Sequence, residues 1–327
     1  MTKNQEPLVS VVTPVYNGEP FLDECIQSVL DQSYENWEFV IVNNCSTDNS
    51  LEIARKYAQH EPRIRILDNS EFLSHLQNSN HAFQQISEQS KYCKVLHADD
   101  WLFPGCLGQM VDIAEANPSV AIVGSYGLWG EKVVSDRLPY PSSFVPGRTI
   151  CRDTLLGSTN PFWSPTSILI RSDVMRHRRP FYNEDHLHAD VEACYEVLQH
   201  HDFGFVHQVL TFIRKHEESI TSTVAAPLNK LILTNIDLFM RYGPIYLEPK
   251  EYHSQLNLKF KKYYSFLAQS LFRLRGRDFW AYHSQTLQEM GCPLRKKRLL
   301  GAALREFVNQ PVAVSRLLAR SAGRSST

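Results

Sequence analysis

Short apolar segments alternate with amphipathic segments along the first hundred residues of the chain. The apolar segments are rich in β-branched residues and short enough for buried parallel strands. They are Leu8–Val15, Trp37–Val42, Arg63–Leu67 and Tyr92–Leu96. This alternation of strand and helix patterns predicts an α/β fold with a doubly wound, mostly parallel sheet.

Three helices are predicted between these strands. The first has Pro20 in its first turn, a position that proline favours, and it carries apolar residues at helical spacing. The second follows Ser46 or Thr47, because either hydroxyl can cap a helix N-terminus. The third is predicted over Leu73–Gln89.

Polar residues follow each predicted strand at the point where it ends. They are Tyr16–Asn17, Asn43–Asn44, Asp68–Asn69 and His97–Asp100. Right-handed crossovers place the carboxyl ends of parallel strands at one edge of the sheet, and ligands bind in the crevice outside that edge. The sequence therefore predicts that all four groups share one crevice.

The later sequence predicts further elements and a division of the chain. The stretch Gly127–Pro165 lacks periodicity, so we expect a loop-rich substrate region there. Strands are predicted at Thr166–Arg171 and Phe203–Arg214, and helices at His188–His200, Leu228–Tyr242, Ser254–Leu274, Arg277–Met290 and Leu299–Leu318. We therefore expect the sheet within residues 1–226 and a helical region over residues 227–327.

Composition narrows the class of protein. Hydrophobic residues make up 43% and charged residues 21% of the 327 residues, which supports a sizeable core and excludes wholesale disorder. No apolar run reaches the roughly 18 residues of a membrane span, and the polar start Met1–Pro7 is unlike a secretory signal. The seven cysteines form no Cys-x-x-Cys pair, which argues against disulfides and structural zinc and leads us to expect a cytoplasmic protein.

The net charge of −1 hides an uneven distribution of charge along the chain. From Lys250 onward there are 15 basic and 4 acidic residues, a net charge of +11. Such a split indicates that the two parts of the chain meet different partners.

Asp99 and Asp100 are the first candidates for chemistry. Adjacent carboxylates at a strand end repel one another unless a cation compensates, and Mg²⁺ or Mn²⁺ favours carboxylate together with phosphate oxygens. The alternative is a solvated turn that caps the next helix. The dipeptide alone leaves both interpretations open.

Four motifs occur in an order that resembles the family 2 glycosyltransferases, which have a GT-A fold. The motifs read VSVVTPVYNGEPFLDECIQSVLDQSYENWEFVIVNNCSTDNS, LHADDWLFPGCL, PFYNEDHLHADVEACYEVL and RKHEESIT. The resemblance covers residues 8–221 and implies a catalytic domain over residues 1–226. It implies inverting transfer of a sugar from a nucleotide-sugar donor to an acceptor hydroxyl, in bacterial cell-surface polysaccharide or glycolipid synthesis.

The resemblance assigns several residues to the donor nucleotide. Pro14 and Tyr16 would line the nucleobase and ribose pocket, with Asn44, Asn78 and Asn80 nearby. The family usually has two aspartates where Asn43–Asn44 stand here, and an amide oxygen accepts without charge assistance. A UDP-sugar is therefore only the default donor. An ordinary strand-end aromatic and ordinary polar helix positions remain the alternatives for Tyr16 and for the two helical asparagines.

The resemblance also assigns a metal site. Asp99 and Asp100 would contact ribose and the Mg²⁺ or Mn²⁺ that bridges the diphosphate, and Arg214 and His216 would approach the diphosphate or the metal. His97 stands where the family often has a further aspartate, and we expect only a minor role for it.

Asp190 fits the family's catalytic base by position. The family often has Glu-Asp there, whereas Ala189 replaces the glutamate in this chain. Glu184, Asp185 and Glu192 are rival carboxylates. Because the chain departs from the pattern at several positions, an inactive nucleotide-sugar-binding module remains an alternative, and a glycoside hydrolase with two carboxylates is a further one.

The region beyond residue 227 interleaves basic residues with aromatic ones and lies outside the resemblance. A packed helical subdomain with a solvated basic face is one explanation. Peripheral binding to an anionic membrane surface at the inner face is another, and it suits a glycan or lipid-linked acceptor. Nucleic-acid binding is the least supported, since no recognition motif accompanies the charge.

Overall fold

The computed structural model describes residues 6–216 and 225–309. Contacts between residues divide the chain into two compact units, Met1–Lys215 and His216–Thr327. The first unit is α/β and the second is helical. The fold class predicted from the sequence is confirmed, whereas the functional division at residue 226 stays a prediction.

A mixed sheet forms the centre of the first unit. Its strands are β1 (Val9–Val15), β2 (Trp37–Asn43), β3 (Ile64–Asp68), β4 (Tyr92–Val95), β5 (Trp101–Leu102), β6 (Val120–Trp129), β7 (Lys132–Val134), β8 (Phe144–Val145), β9 (Ile168–Arg171) and β10 (Asp202–Ile213). The order is β3-β2-β1-β4-β9-β6-β10-β5, with β7 on β6 and β8 on β10. The first four strands pair in parallel, and β9 runs antiparallel between β4 and β6.

Seven helices are described in this unit. They are α1 (Glu19–Leu30), α2 (Ser50–Ala58), α3 (His75–Phe83), α4 (Cys106–Ala116), α5 (Gly147–Leu156), α6 (Ser172–His177) and α7 (Ala189–Val197), with a 3₁₀ turn at Pro165–Ser167. Apolar spacing explains their packing, since Leu22, Ile26 and Val29 of α1 are all buried in the core beside the sheet.

The parallel register aligns the strand ends that the sequence singles out. Val15 lies beside Asn43, and Asn43 lies beside Asp68. The backbone of Leu96 donates to the carbonyl of Val12, which continues the pairing of β4 with β1 beyond the end of β4. The polar residues that follow these strands therefore emerge at one edge, as expected.

Several sequence expectations for local structure are wrong. Neither Ser46 nor Thr47 caps α2, because both bind the preceding loop and the helix begins after Asn49. Helix α3 ends at Phe83 rather than at Gln89. The following turn is held by tertiary bonds, such as that from the Ser87 amide to the Glu38 carboxylate.

The region expected to be loop-rich contains regular structure. Helix α5 buries Ile150, Cys151 and Leu155, and β6 extends to Trp129. The expected strand at Thr166–Arg171 begins with the 3₁₀ turn before β9. Tertiary packing here overrides a weak local pattern.

The second unit consists of four described helices around its own core. They are α8 (Lys230–Tyr246), α9 (Pro249–Phe272), α10 (Arg277–Glu289) and α11 (Lys296–Asn309). Among the described residues, no helix is both long enough and apolar enough to cross a membrane. The expected helix over Leu299–Leu318 is described only as far as Asn309, and Glu217–Thr221 of the fourth motif lie outside the described residues.

Candidate active site

The loops after β1 and β2 are bound to each other. Asn17 adopts a positive φ of 51°, which asparagine tolerates better than most residues. Its side-chain oxygen accepts from the Thr47 amide at 2.8 Å, and its own amide donates to Ser46 Oγ at 3.0 Å. The amide of Gly18 donates to Ser50 Oγ at 2.8 Å. These bonds fix the turn that carries Tyr16.

Tyr16 and Phe72 form an exposed aromatic pair at this edge. Their ring centroids are 4.9 Å apart with an interplanar angle of 67°. Tyr16 is 51% exposed and Phe72 is 60% exposed, although large aromatic side chains are usually mostly buried. Exposed ring faces of this kind can stack on a planar base. Sequence reasoning singled out Tyr16 but missed Phe72, for which the sequence offers no signal.

The side chain of Asn44 holds the segment that carries Phe72. Its oxygen accepts from the Leu73 amide at 2.9 Å and from Asn69 Nδ2 at 3.1 Å, and its nitrogen donates to the Leu73 carbonyl at 2.8 Å. Both lone pairs of the oxygen are therefore occupied by protein donors. Asn44 shapes this edge by fixing the backbone beside Phe72.

The two helical asparagines of α3 are buried and bonded to protein groups. Asn78 accepts from Asn69 Nδ2 at 2.9 Å. Asn80 exchanges two hydrogen bonds of 2.8 Å with the backbone of Tyr182, and it also donates to Glu184 at 3.0 Å. They connect the strand-end cluster with the segment that leads into α7.

The described residues contain one group of side chains with the spacing of metal ligands. It consists of His97, Asp99 and Asp100. One ligand atom from each lies within 4.8 Å of the others. His97 lies within this group, and the minor role expected for it from the sequence stays a prediction. An ideal Cβ on Gly18 would lie 3.3 Å from the Cβ of Ala98, so the loop that carries Tyr16 lies against this cluster.

Asp100 is the inner carboxylate of the cluster and is 2% exposed. Its Oδ2 accepts from the Thr166 hydroxyl at 2.6 Å, and its Oδ1 accepts from the Arg214 amide at 2.9 Å. Burial raises the pKa of Asp100 to about 6, and the neighbouring charge of Asp99 adds to the rise. The two carboxylates match the oxygen donors that Mg²⁺ and Mn²⁺ favour, and a cation would relieve the repulsion between them.

Thr166 and Lys94 support this cluster, and sequence reasoning missed both. The Lys94 side chain is fully buried in β4, and its ammonium donates to the carbonyl oxygens of Thr166 at 2.6 Å and Ile168 at 3.3 Å. Burial lowers the pKa of Lys94. A lysine inside an apolar strand pattern is the one signal that the sequence gives for this arrangement.

Residues 10–187 match the family model described as glycosyl transferase family 2, which is more than half of the chain. The chain belongs to glycosyltransferase family 2. This glycosyltransferase has relatives in bacterial polysaccharide biosynthesis. It is 37% identical over 97 residues to TuaG of Bacillus subtilis (strain 168), named for teichuronic acid biosynthesis, covering 30% of this chain and 38% of TuaG. The chain spans 57% and 58% of the lengths of two other curated relatives.

Solved structures show the same fold as this glycosyltransferase. S. aureus TarS in complex with UDP-GlcNAc superposes with a TM-score of 0.63 at 14% identity, covering 96% of this chain and 89% of that one. The mannosyltransferase PcManGT from Pyrobaculum calidifontis, in complex with GDP-Man and Mn²⁺, gives 0.55 at 14% identity, covering 98% and 87%. At this level of identity, the similarity establishes a GT-A-like fold.

Asp190 lies in the first turn of α7, partly exposed. Burial raises the pKa of the Cys194 thiol, and the nearby Asp190 carboxylate adds to that rise. Burial lowers the pKa of His188, and Asp190 opposes that effect. The buried Nε2 of His188 has no hydrogen-bond partner in the described residues, which makes His188 a further polar group beside the predicted base.

The rival carboxylates have partners or lie in solvent. Glu192 is buried and lies 3.2–3.3 Å from Asn183 Nδ2 and 3.5 Å from His186. Glu184 accepts from Asn80, and Asp185 is exposed. Among these acidic residues, Asp190 stays the predicted base of the glycosyltransferase.

Arg214 anchors the loop that carries Asp99 and Asp100. Its Nε donates to the Asp99 carbonyl at 3.0 Å, its Nη2 pairs with Glu24, and its guanidinium lies 4.5 Å from the Phe21 ring centroid.

Pro14 lies in β1 next to this edge of the sheet. His216 falls in the second compact unit, and its predicted place among the ligands stays a prediction.

Proposed function

We propose that the protein is an inverting glycosyltransferase. It moves a sugar from a nucleoside diphosphate donor, a UDP-sugar by default, to an acceptor hydroxyl in bacterial cell-surface polysaccharide or glycolipid synthesis. The observation that carries this proposal is the cluster of His97, Asp99 and Asp100 at the same sheet edge as the exposed Tyr16 ring. The cluster is suited to a cation that binds phosphates, and the ring is suited to stacking on a nucleobase.

The proposed donor site uses the two groups together. The rings of Tyr16 and Phe72 hold the base, while Asn44, Asn78 and Asn80 keep the surrounding loops in place. Two protein donors already occupy the Asn44 oxygen. Asn44 therefore does not take the place of the aspartate that usually accepts a hydrogen bond from the nucleobase in this family. The solved neighbours bind UDP-GlcNAc in one case and GDP-Man in the other, so both nucleotides belong in a donor screen.

Asp99, Asp100 and His97 would hold the proposed Mg²⁺ or Mn²⁺, which neutralises the charge of the departing diphosphate when bound. Asp190 accepts the proton of the acceptor hydroxyl as its oxygen attacks the anomeric carbon. The bond from that carbon to the diphosphate oxygen breaks on the opposite face, which inverts the configuration.

A donor screen tests this proposal. Purified protein is incubated with UDP-, GDP- and other nucleotide-sugars, with Mn²⁺ or with EDTA, and thermal stabilisation and donor turnover are both measured. We expect stabilisation by one donor class that needs the cation, because ligand binding to the folded state raises stability. Stabilisation without transfer to any acceptor would instead favour a binding module. Cleavage of glycosides without nucleotide or metal would favour a hydrolase.

The proposed acceptor is a glycan or a lipid-linked saccharide. An acceptor of this kind places the enzyme in the cytoplasm, at the inner face of the membrane. The supporting observation is the concentration of positive charge from Lys250 onward, since anionic leaflets attract basic segments.

A further inference from the structure

The aromatic residues of the basic region form the core of the second unit. Tyr263, Tyr264 and Phe279 are buried together with Leu267 and Leu287. The hydroxyl of Tyr263 is bonded to a ring nitrogen of His283 at 2.9 Å. These aromatic side chains hold the helices together and do not face a partner. The interleaved aromatic residues in the sequence therefore belong to the core of this unit.

Helix α11 presents an apolar stripe to solvent. The stripe consists of Leu300, Leu304, Phe307 and Val308, which are 50–73% exposed. Their spacing of i, i+4, i+7 and i+8 places them on one face of the helix. Ala302 lies on the opposite face, and it is buried together with Ala303 in the core of the unit. Four large apolar side chains on one exposed face need a partner that removes them from water.

The charges around the stripe have one sign. Arg295, Lys296, Lys297 and Arg298 are all exposed where α11 begins. Lys296 and Lys297 lie four and three residues before Leu300, and thus on the same side of the helix. The acidic residue of α11 is turned toward α9, since Glu306 accepts from Ser265 at 2.8 Å and from Gln269 at 3.2 Å.

A surface cavity of about 310 Å³ adjoins the same helix. It is lined by Leu258, Lys261, Lys262, Ser265, Phe266 and Gln269 of α9. Because Ser265 and Gln269 bond to Glu306, the cavity lies beside α11. Its two exposed lysines add positive charge beside α11.

We propose that the exposed face of α11, made of its apolar stripe and its basic start, docks on an anionic phospholipid surface. The lysines and arginines bind headgroup phosphates, and the stripe enters the boundary between headgroups and acyl chains. The proposal deepens the proposed membrane location and rests on it for its biological purpose. Binding itself requires no donor, so it can be tested apart from sugar transfer.

The test is co-sedimentation of the full chain with phosphatidylcholine vesicles that contain or lack phosphatidylglycerol. We expect binding only with phosphatidylglycerol, weakened by salt. The double variant Leu304→Ser/Phe307→Ser and the double variant Lys296→Gln/Lys297→Gln should each reduce partitioning on the order of tenfold. The matched control Val133→Ser/Phe144→Ser removes exposed apolar side chains of the first unit and should bind as the unchanged protein does.

Three results would overturn the proposal. One is absence of binding to either vesicle at low salt, and another is equal binding to both. The third is a dimer in light scattering that Leu304→Ser/Phe307→Ser abolishes, which would assign the stripe to a second copy of the chain. Donor turnover that stays normal while vesicle binding fails would refute this surface and leave the proposed function intact.

Discussion

The hydroxyl of Thr166 donates a 2.6 Å hydrogen bond to Oδ2 of Asp100, although 66 residues separate the two along the chain. The same hydroxyl accepts from the His97 amide at 3.3 Å, and the Thr166 carbonyl accepts from the buried ammonium of Lys94. One residue therefore orients the inner carboxylate and contacts the backbone of His97. A group behind a metal ligand fixes its orientation and contributes to metal affinity.

Replacing this hydroxyl should weaken the proposed metal site. We expect Thr166→Val to raise the Mn²⁺ concentration for half-maximal donor turnover by about 10–100-fold, because the carboxylate loses its orienting donor. The rate at saturating Mn²⁺ should fall much less. Thr166→Ser retains the hydroxyl and should restore most of the affinity.

Ser167→Ala is the matched control for this prediction. Ser167 is buried next to Thr166, but its hydroxyl bonds to Thr211 and not to Asp100. If Thr166→Val and Ser167→Ala showed the same Mn²⁺ dependence as the unchanged protein, the hydroxyl would have no role in holding the cation.

Phe72 should contribute to donor binding by stacking on the nucleobase. Loss of an aromatic ring that stacks on a base costs on the order of 1–3 kcal/mol, so Phe72→Ala should raise the donor Kd by roughly tenfold. Titration calorimetry with the donor identified in the screen measures this change. Phe144→Ala, at another exposed phenylalanine of the first unit, should leave the Kd unchanged, and equal effects of both changes would contradict the assignment.

The sequence predicts the first four strands because each is a short local pattern of apolar residues. It does not predict that β9 runs antiparallel between β4 and β6, since these pairings join segments far apart in the chain, with Leu169 opposite both Lys94 and Val123. Nor does it predict where α3 ends. The turn after this helix is bonded to neighbouring strands, because the Ser87 amide donates to Glu38 and Arg65 donates to the Gln85 carbonyl. Long-range contacts thus override local propensity at these places.

The candidate site shows the same limit. Asp99 and Asp100 are adjacent in the sequence and can be recognised as a pair. His97 lies two residues before Asp99, so the sequence alone indicates that its side chain can lie near theirs. Thr166 contacts them only through the fold. Asn44 and Asn80 are recognised by position, but only the structure shows that backbone groups of Leu73 and Tyr182 occupy their side chains.

His283 should make the stability of the second unit depend on pH. It is fully buried, bonded to Tyr263 and to the Leu228 carbonyl, and burial lowers its pKa to about 4. In the unfolded chain the imidazole of His283 takes up a proton near pH 6.5, whereas in the folded chain it stays neutral until a lower pH. Its contribution to stability is therefore complete above pH 6.5 and is lost as the pH falls toward 4.

Calorimetric melting at pH 7 and pH 5 measures this effect. The unchanged protein should lose more stability between the two values than His283→Gln, whatever the absolute stability of that variant. His253→Gln, at an exposed position of α9, should retain the full pH dependence. An unchanged pH dependence in His283→Gln would show that another group causes it.

Asp190→Asn should separate catalysis from donor binding. The amide keeps the size of the side chain but cannot take up the acceptor proton, and general-base help is worth about 10²–10⁴ in rate. We therefore expect turnover to fall by that factor while the donor Kd stays within about twofold. Asp185→Asn removes an exposed carboxylate of the same segment and should turn over normally. Full activity in Asp190→Asn, with reduced activity in Glu192→Gln, would move the base to the buried glutamate.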